Sequence, residues 1–98
     1  MSAADSSLAS LHAVVTGRVQ GVFFRAFVRQ HARALGITGS VRNIRYAGAV
    51  EVEAEGERSR LEQLLQQLYR GPSEARVDDV QVEWGEYTGR FSRFDITY

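Results

Sequence analysis

The sequence predicts an α+β protein, a two-layer sandwich of two helices on an antiparallel sheet, in the order β-α-β-β-α-β with a short fifth strand at the C-terminal end. Three observations predict it. In "AVEVEAEG", residues 49–56, Val50, Val52 and Ala54 face one way and Glu51, Glu53 and Glu55 the other; such alternation marks an antiparallel strand with one wet face. In "RSRLEQLLQQLYRGP", residues 58–72, Leu61, Leu64, Leu65 and Leu68 form one stripe, so this helix is apolar on a single side. Finally, 98 residues are enough for one core and too few for two, so one-sided helices must share one sheet face.

Taken in order, "MSAADSSLAS" is small and polar, with neither the basic start nor the apolar stretch of a signal peptide. Residues 1–9 are expected to be a flexible tail and 10–98 a single domain. "LHAVVTGRV" is apolar and β-branched and breaks at Gly17, which gives a first strand. In "FFRAFVRQHARALG", Phe24, Val28, Ala32 and Leu35 recur at helical spacing, and Gly36 stops the helix. "GSVRNIR" is a second short strand, turned by "YAG" into the third. Gly71 and Pro72 end the second helix, "VDDVQVEW" alternates as a fourth strand, and "RFDITY" closes as the fifth.

Composition excludes several chemistries. The chain has no cysteine, which removes disulfides, zinc-thiolate sites and thiolate nucleophiles. All twelve basic residues are arginine, which removes Schiff bases and the P-loop ammonium. A formal net charge of zero argues against nucleic acid or an anionic membrane as main partner. No run of about 18 apolar residues is present. A domain this small without disulfide staples points to a reducing compartment.

The chemistry concentrates in "VTGRVQGVFFRAF", Val15 to Phe27. Two glycines bracket a turn between a strand and a helix. Such a turn presents main-chain N–H groups to a common point, and the first N–H groups of the helix, unpartnered within it, add to the same hollow. The helix dipole favours an anion there, and phosphate is the natural occupant. Arg25, in the first helical turn, can grip two phosphate oxygens in one plane. What is missing is a nucleophile. The P-loop pattern needs Gly-Lys-Ser/Thr, but Gly21 is followed by Val22. Cysteine phosphatases place a thiolate shortly ahead of the arginine, where this chain has Val19.

"GRVQGVFFR", followed by "GSVRN", resembles the acylphosphatase family. Further matches are "ARALGITG", "VEVEAEG" and the closing "FDITY", so the resemblance runs from Leu11 to Tyr98. It implies a ferredoxin-like fold and metal-independent hydrolysis of carboxyl-phosphate anhydrides. The matching residues are Arg25, which binds phosphate, and Asn43, which orients the attacking water. The backbone amides of Arg18, Val19, Gln20, Gly21, Val22, Phe23 and Phe24 would form the phosphate-binding loop. No cofactor and no metal are implied, and the expected molecule is a cytoplasmic monomer acting on a small-molecule acyl phosphate. Two departures bear on the leaving group: Ser40 stands where the family usually has an aromatic residue, and the turn after Asn43 is one residue longer, displacing Gly48.

The resemblance explains the missing nucleophile. A carboxylate leaving group, whose acid has a pKa of about 4, departs as an anion without a proton donor. Phosphoryl transfer is then mainly positioning and charge stabilisation. Read alone, Asn43 would be a turn residue near a strand end. His12 and His31 are expected to be structural, Gln20 to shape the loop, and Thr16 to be inert for want of a nearby base. Glu51, Glu53 and Glu55 do not converge on a point as a cation site would and are expected to form a solvated face. Two other functions compete: a non-catalytic phosphate- or acyl-phosphate-binding module built on the same cradle, and an RNA-binding sheet, which the three glutamates oppose.

Overall fold

A computed structural model describes residues 7–98. Its elements are β1 (Leu8–Arg18), α1 (Phe24–Ala34), β2 (Thr38–Ile44), a 3₁₀ turn (Arg45–Ala47), β3 (Ala49–Glu57), α2 (Arg58–Arg70), β4 (Arg76–Gly85) and β5 (Phe94–Ile96). Of the tail expected over 1–9, residues 1–6 lie outside the described residues, while Leu8 and Ala9 open β1 and pair with Glu57 and Gly56.

The strands lie in the order β4-β1-β3-β2-β5. Each helix therefore crosses over one intervening strand: α1 links β1 to β2 across β3, and α2 links β3 to β4 across β1. Right-handed crossovers leaving two antiparallel strands toward opposite edges put both helices on the same face. The residues that alternate inward fill the space beneath: Leu11, Ala13 and Val15 from β1, Val41 from β2, Val50, Val52 and Ala54 from β3, against Phe24, Val28 and Ala32 of α1 and Leu61, Leu64 and Leu68 of α2. α1 ends as its sequence predicts. The Gly36 N–H donates to the Arg33 carbonyl and the Ile37 N–H to the Ala32 carbonyl, the paired bonds of a glycine-terminated helix.

The antiparallel expectation holds for four strands and fails for the fifth, because β5 pairs parallel to β2 through Gly39, Ser40 and Val41. The reason is positional. β4 finishes at the end of the sheet opposite the β1–α1 turn, and the segment 86–93 carries the chain across that end to the far edge. From there the only way onto the sheet runs alongside β2.

That crossing also overturns part of the expected wet face. Glu51 and Glu53 are half-buried on the helix-free side, but Glu55 is only 2% exposed. The crossing segment covers it. The Thr88 hydroxyl (2.8 Å), the Thr88 N–H (3.0 Å) and the Gly89 N–H (2.9 Å) all donate to its carboxylate. Burial pushes the Glu55 carboxyl up, yet these three donors and the nearby Arg90 charge hold it below its ordinary value. Glu51 is also lowered, first by the His12 hydrogen bond at 2.7 Å and, against the opposing effect of burial, by Arg42 at 2.6 Å.

A lowered carboxyl pKa stabilises the fold above the ordinary carboxylate value and loses that contribution as pH falls through the depressed one. Urea unfolding midpoints should therefore decline as pH drops below 4.5, the ordinary value for Glu55. Glu55→Ala, which strands the Thr88 and Gly89 donors, should cost about 1.5–3 kcal/mol at pH 7. Glu55→Gln should flatten the acid dependence; an unchanged acid limb in that variant would remove the carboxylate from the account.

Candidate active site

The two glycines of the opening turn do different work. Gly17 sits where the pairing of β1 with β4 shifts register, and a Cβ there would overlap the Arg76 carbonyl oxygen. It lets two strands approach. Gly21, at φ +72°, supplies a left-handed bend in the loop itself. Val19, between them, and Val22, just after Gly21, are buried in the core and anchor the loop from below.

Among the described residues, none of the N–H groups of Val19, Gln20, Gly21, Val22 and Phe23 donates to a main-chain carbonyl. The helix behind them begins without a capping side chain and without an acidic residue in its first turn. Its N-terminal N–H groups and the positive end of its dipole are left uncompensated by the protein. Phe23, the residue at the cap, holds a left-handed conformation (φ 60°, ψ 26°).

The loop is braced from the side. The Gln20 Nε2 donates to the Ile44 carbonyl at 3.1 Å and to the Ala49 carbonyl at 2.9 Å. Those carbonyls flank the 3₁₀ turn that follows Asn43, so one carboxamide ties the β1–α1 loop to the β2–β3 turn. Gln20 shapes the loop, as its position in the sequence led us to expect.

Asn43 arrives beneath the helix through strand register. Val50 of β3 pairs with Val15 on one side and with Asn43 on the other. All three belong to the helix-covered face, with Val41 two residues before Asn43 buried on that face. The Asn43 Oδ1 is buried and has no hydrogen-bond partner. Leaving such an acceptor unpaired costs about 1–3 kcal/mol, and a group held that way calls for an explanation beyond folding.

Arg25 and Asn43 line one cavity of about 270 Å³, together with Val19, Gly21, Phe23 and Phe24 of the loop and Ile96 and Tyr98 of the C-terminal end. Among the described residues the Arg25 guanidinium has no carboxylate partner; it lies 5.3 Å from the centre of the Tyr98 ring, within cation–π range. Of the loop positions anticipated, Arg18, Gln20 and Val22 contribute no wall. Arg18 is still strand, opposite Arg76 in β4. Ala26, Ile96 and Tyr98 are the wall residues that reading the loop alone overlooked; for the last two the apolar and aromatic closing run "FDITY" was the available signal.

Other hollows lack this combination. The roomier one near Leu8 and Tyr87, about 710 Å³, contains Arg58, but that guanidinium lies over Trp84 at 3.7 Å and pairs with Glu62 at 3.4 Å. The one beneath the crossing segment, about 310 Å³, contains Arg90, which pairs with Glu53 at 3.0 Å. His12 is on the helix-free face with Glu51, and His31 packs on the Phe27 ring with centroids 4.5 Å apart, so neither lines the cavity. Thr16, in register with Ala49 and Asp79, does not line it either. The three glutamates of β3 are divided among separate partners, and no group of three potential ligands capable of holding a metal occurs among the described residues.

Comparison with known proteins points one way. The family model described as Acylphosphatase matches residues 11–96. An acylphosphatase of Pelotomaculum thermopropionicum is 50% identical over 92 residues, covering 94% of this chain and 99% of its own. The acylphosphatase structure from Coxiella burnetii superposes with a TM-score of 0.87 at 38% identity, covering 93% of this chain and 94% of that one. The acylphosphatase crystal structure from Bacillus subtilis gives a TM-score of 0.88 at 33% identity, with 92% and 99% covered.

The unpaired carboxamide makes a stability prediction. Asn43→Leu replaces an unsatisfied acceptor with apolar surface and should raise unfolding free energy by about 1 kcal/mol in urea titrations. A loss of stability of that size would mean that the Asn43 side chain holds the fold together.

Proposed function

The chain belongs to the acylphosphatase family, hydrolases of acyl phosphates, and from that premise we propose how its own residues carry the reaction. The observation that supports the reading most is the meeting of Arg25, the unpartnered Asn43 Oδ1 and the uncapped start of α1 around one cavity. The phosphoryl group of the substrate sits against the free N–H groups of the Val19–Phe24 loop, and Arg25 closes over two of its oxygens. The Asn43 Oδ1 accepts a hydrogen from a water and holds it in line with the bond to be broken.

The water oxygen forms a bond to phosphorus while the phosphorus–oxygen bond to the acyl group breaks. The bonding pair leaves with the carboxylate, and the water gives up its proton to solvent or to the phosphate formed. No protein base is required, because the leaving group needs no proton and the loose transition state demands little prior deprotonation of water. Fixed N–H donors and a guanidinium placed where charge accumulates carry most of the acceleration. The reading takes the reaction to be metal-independent and the protein to act as a cytoplasmic monomer on free acyl phosphates rather than on nucleic acid. The absence of cysteine supports a reducing compartment. Among the described residues, no helix is long and apolar enough to cross a membrane.

The test is release of inorganic phosphate from acetyl phosphate in the presence of a chelator. Arg25→Ala should lower kcat/KM by at least about 100-fold, the loss usual for one fixed transition-state donor. Asn43→Ala should lower kcat with little change in KM, because it removes an interaction with water rather than with substrate. Near wild-type turnover in the Arg25 variant would defeat the assignment. Phosphate binding without turnover in the wild type would make the protein a binding module.

A further inference from the structure

The arginines divide into two groups. Most pair with carboxylates, as Arg33 does with Asp95 at 3.0 Å and Arg60 with Glu57 at 2.9 Å. Among the described residues, Arg18, Arg25, Arg29, Arg45 and Arg70 have no acidic partner. Arg70 sits in the last turn of α2, where the helix dipole favours a cation. The other four gather at the end of the sheet where the cavity lies. Arg25 lines that cavity, and Arg18 adjoins its wall residue Val19. Arg29 is one helical turn beyond Arg25, about 6 Å along the axis of α1. Arg45 opens the 3₁₀ turn two residues after Asn43, within about 7 Å of it along the chain. The backbone carrying all four is thus within about one Debye length of the cavity wall, about 8 Å at physiological ionic strength.

Local preferences oppose three of these placements. Arg25 puts a cation in the first turn of a helix, against the dipole. Arg29 follows at i+4, the spacing at which like charges on a helix repel. Arg18 stands opposite Arg76 in the β1–β4 ladder, again like against like. The carboxylates that would neutralise them are elsewhere or taken. Glu57, Glu62 and Glu86 belong to the opposite end, where β1 starts and β4 finishes. Glu51 is held by His12 and Arg42, and Asp95 by Arg33 and Arg93. Glu74, Asp78 and Asp79 lie on or just before β4, which β1 and β3 separate from Asn43 on β2, and Asp78 is paired with Arg76. A formal net charge of zero is therefore the sum of two unlike ends.

We propose that Arg18, Arg29 and Arg45 form an outer cationic field that gathers anionic phosphoryl compounds, substrate and inorganic phosphate alike, toward the cavity without contacting them inside it. The proposal rests on the hydrolase reading of that cavity for the identity of the substrate and adds residues that act on it from outside. A phosphoryl group carries about −1.5 to −2 charge at neutral pH, so it feels such a field strongly. The field raises the local concentration of the anion and so lowers KM. It does not act on the bond being broken, so kcat is unaffected. Salt screens it. Because the attraction depends on charge and not on the fork of guanidinium donors, lysine can replace these arginines and glutamine cannot.

The experiment measures acetyl phosphate hydrolysis at about 10 mM and about 150 mM sodium chloride, where the Debye length falls from about 30 Å to about 8 Å. It compares the wild type with two double variants, Arg29→Gln with Arg45→Gln, and Arg29→Lys with Arg45→Lys. At low salt the glutamine variant should have a KM about five- to ten-fold above wild type with kcat unchanged. The gap should narrow at the higher salt, and the lysine variant should follow the wild type. An unchanged KM at low salt, a loss in kcat, a gap that salt does not narrow, or a lysine variant that behaves like the glutamine one overturns the proposal. Calorimetric binding of inorganic phosphate at the same two salt concentrations needs no turnover and separates the two readings. Salt-dependent phosphate binding that weakens about five- to ten-fold in the glutamine variant at low salt supports the field, even if the wild type hydrolyses nothing, an outcome that sinks the hydrolase reading alone. Phosphate binding that is the same in the glutamine variant and the wild type at both salt concentrations sinks the field even if acetyl phosphate is hydrolysed.

Discussion

The candidate active site depends on a constraint of strand order: β1 and β2 run parallel with β3 between them. Two strands so related end at the same edge of the sheet, about 9–10 Å apart at the usual interstrand spacing. The register then places Val15, Val50 and Asn43 in one row. A helix that leaves β1 and must reach β2 has to start above that row. The start of α1 and the carboxamide of Asn43 are brought together by topology, before any side chain of the site makes a contact. Gln20 fixes the remaining freedom, since its two bonds to the carbonyls of Ile44 and Ala49 keep the loop from drifting off the turn.

What gathers at that end is a set of local exceptions. A helix begins with no cap and no acid. An amide oxygen is buried without a partner. A phenylalanine occupies a glycine-like conformation. The Arg25 guanidinium faces an aromatic ring instead of a carboxylate. Some of these features recur elsewhere, since α2 also begins with no side-chain cap and no acid in its first turn, but Arg33, Arg42, Arg58, Arg60, Arg76, Arg90 and Arg93 have acidic partners, and the glycine-terminated end of α1 carries its paired main-chain bonds. Natural proteins break local rules mainly where function requires it. Here the exceptions share a chemistry, since most of them favour an anion and a water.

The helix-free face has a separate role. The carboxylate of Glu55 anchors the segment that crosses from β4 to the far edge and so delivers β5 beside β2. The C-terminal end of β5 is where Ile96 and Tyr98 meet the cavity. A buried acid on one face of the sheet thus helps hold the segment that leads to the residues lining the cavity on the other.

The sequence by itself determined the elements, their order and the one-sided burial, because period-two and helical apolar patterns are local properties that survive in any compact arrangement. It also pointed to the loop as a candidate anion site and, through the resemblance carried by "GRVQGVFFR" and "GSVRN", to Arg25 and Asn43, which line one cavity. Only tertiary structure decided that Glu55 is buried while Glu51 and Glu53 are not, for the three are indistinguishable in the alternating pattern and differ only in what crosses above them. The same holds for the parallel fifth strand and for Ile96 and Tyr98 as cavity wall. Each depends on where a distant segment lands, and contacts between residues far apart in the chain leave no periodicity to read.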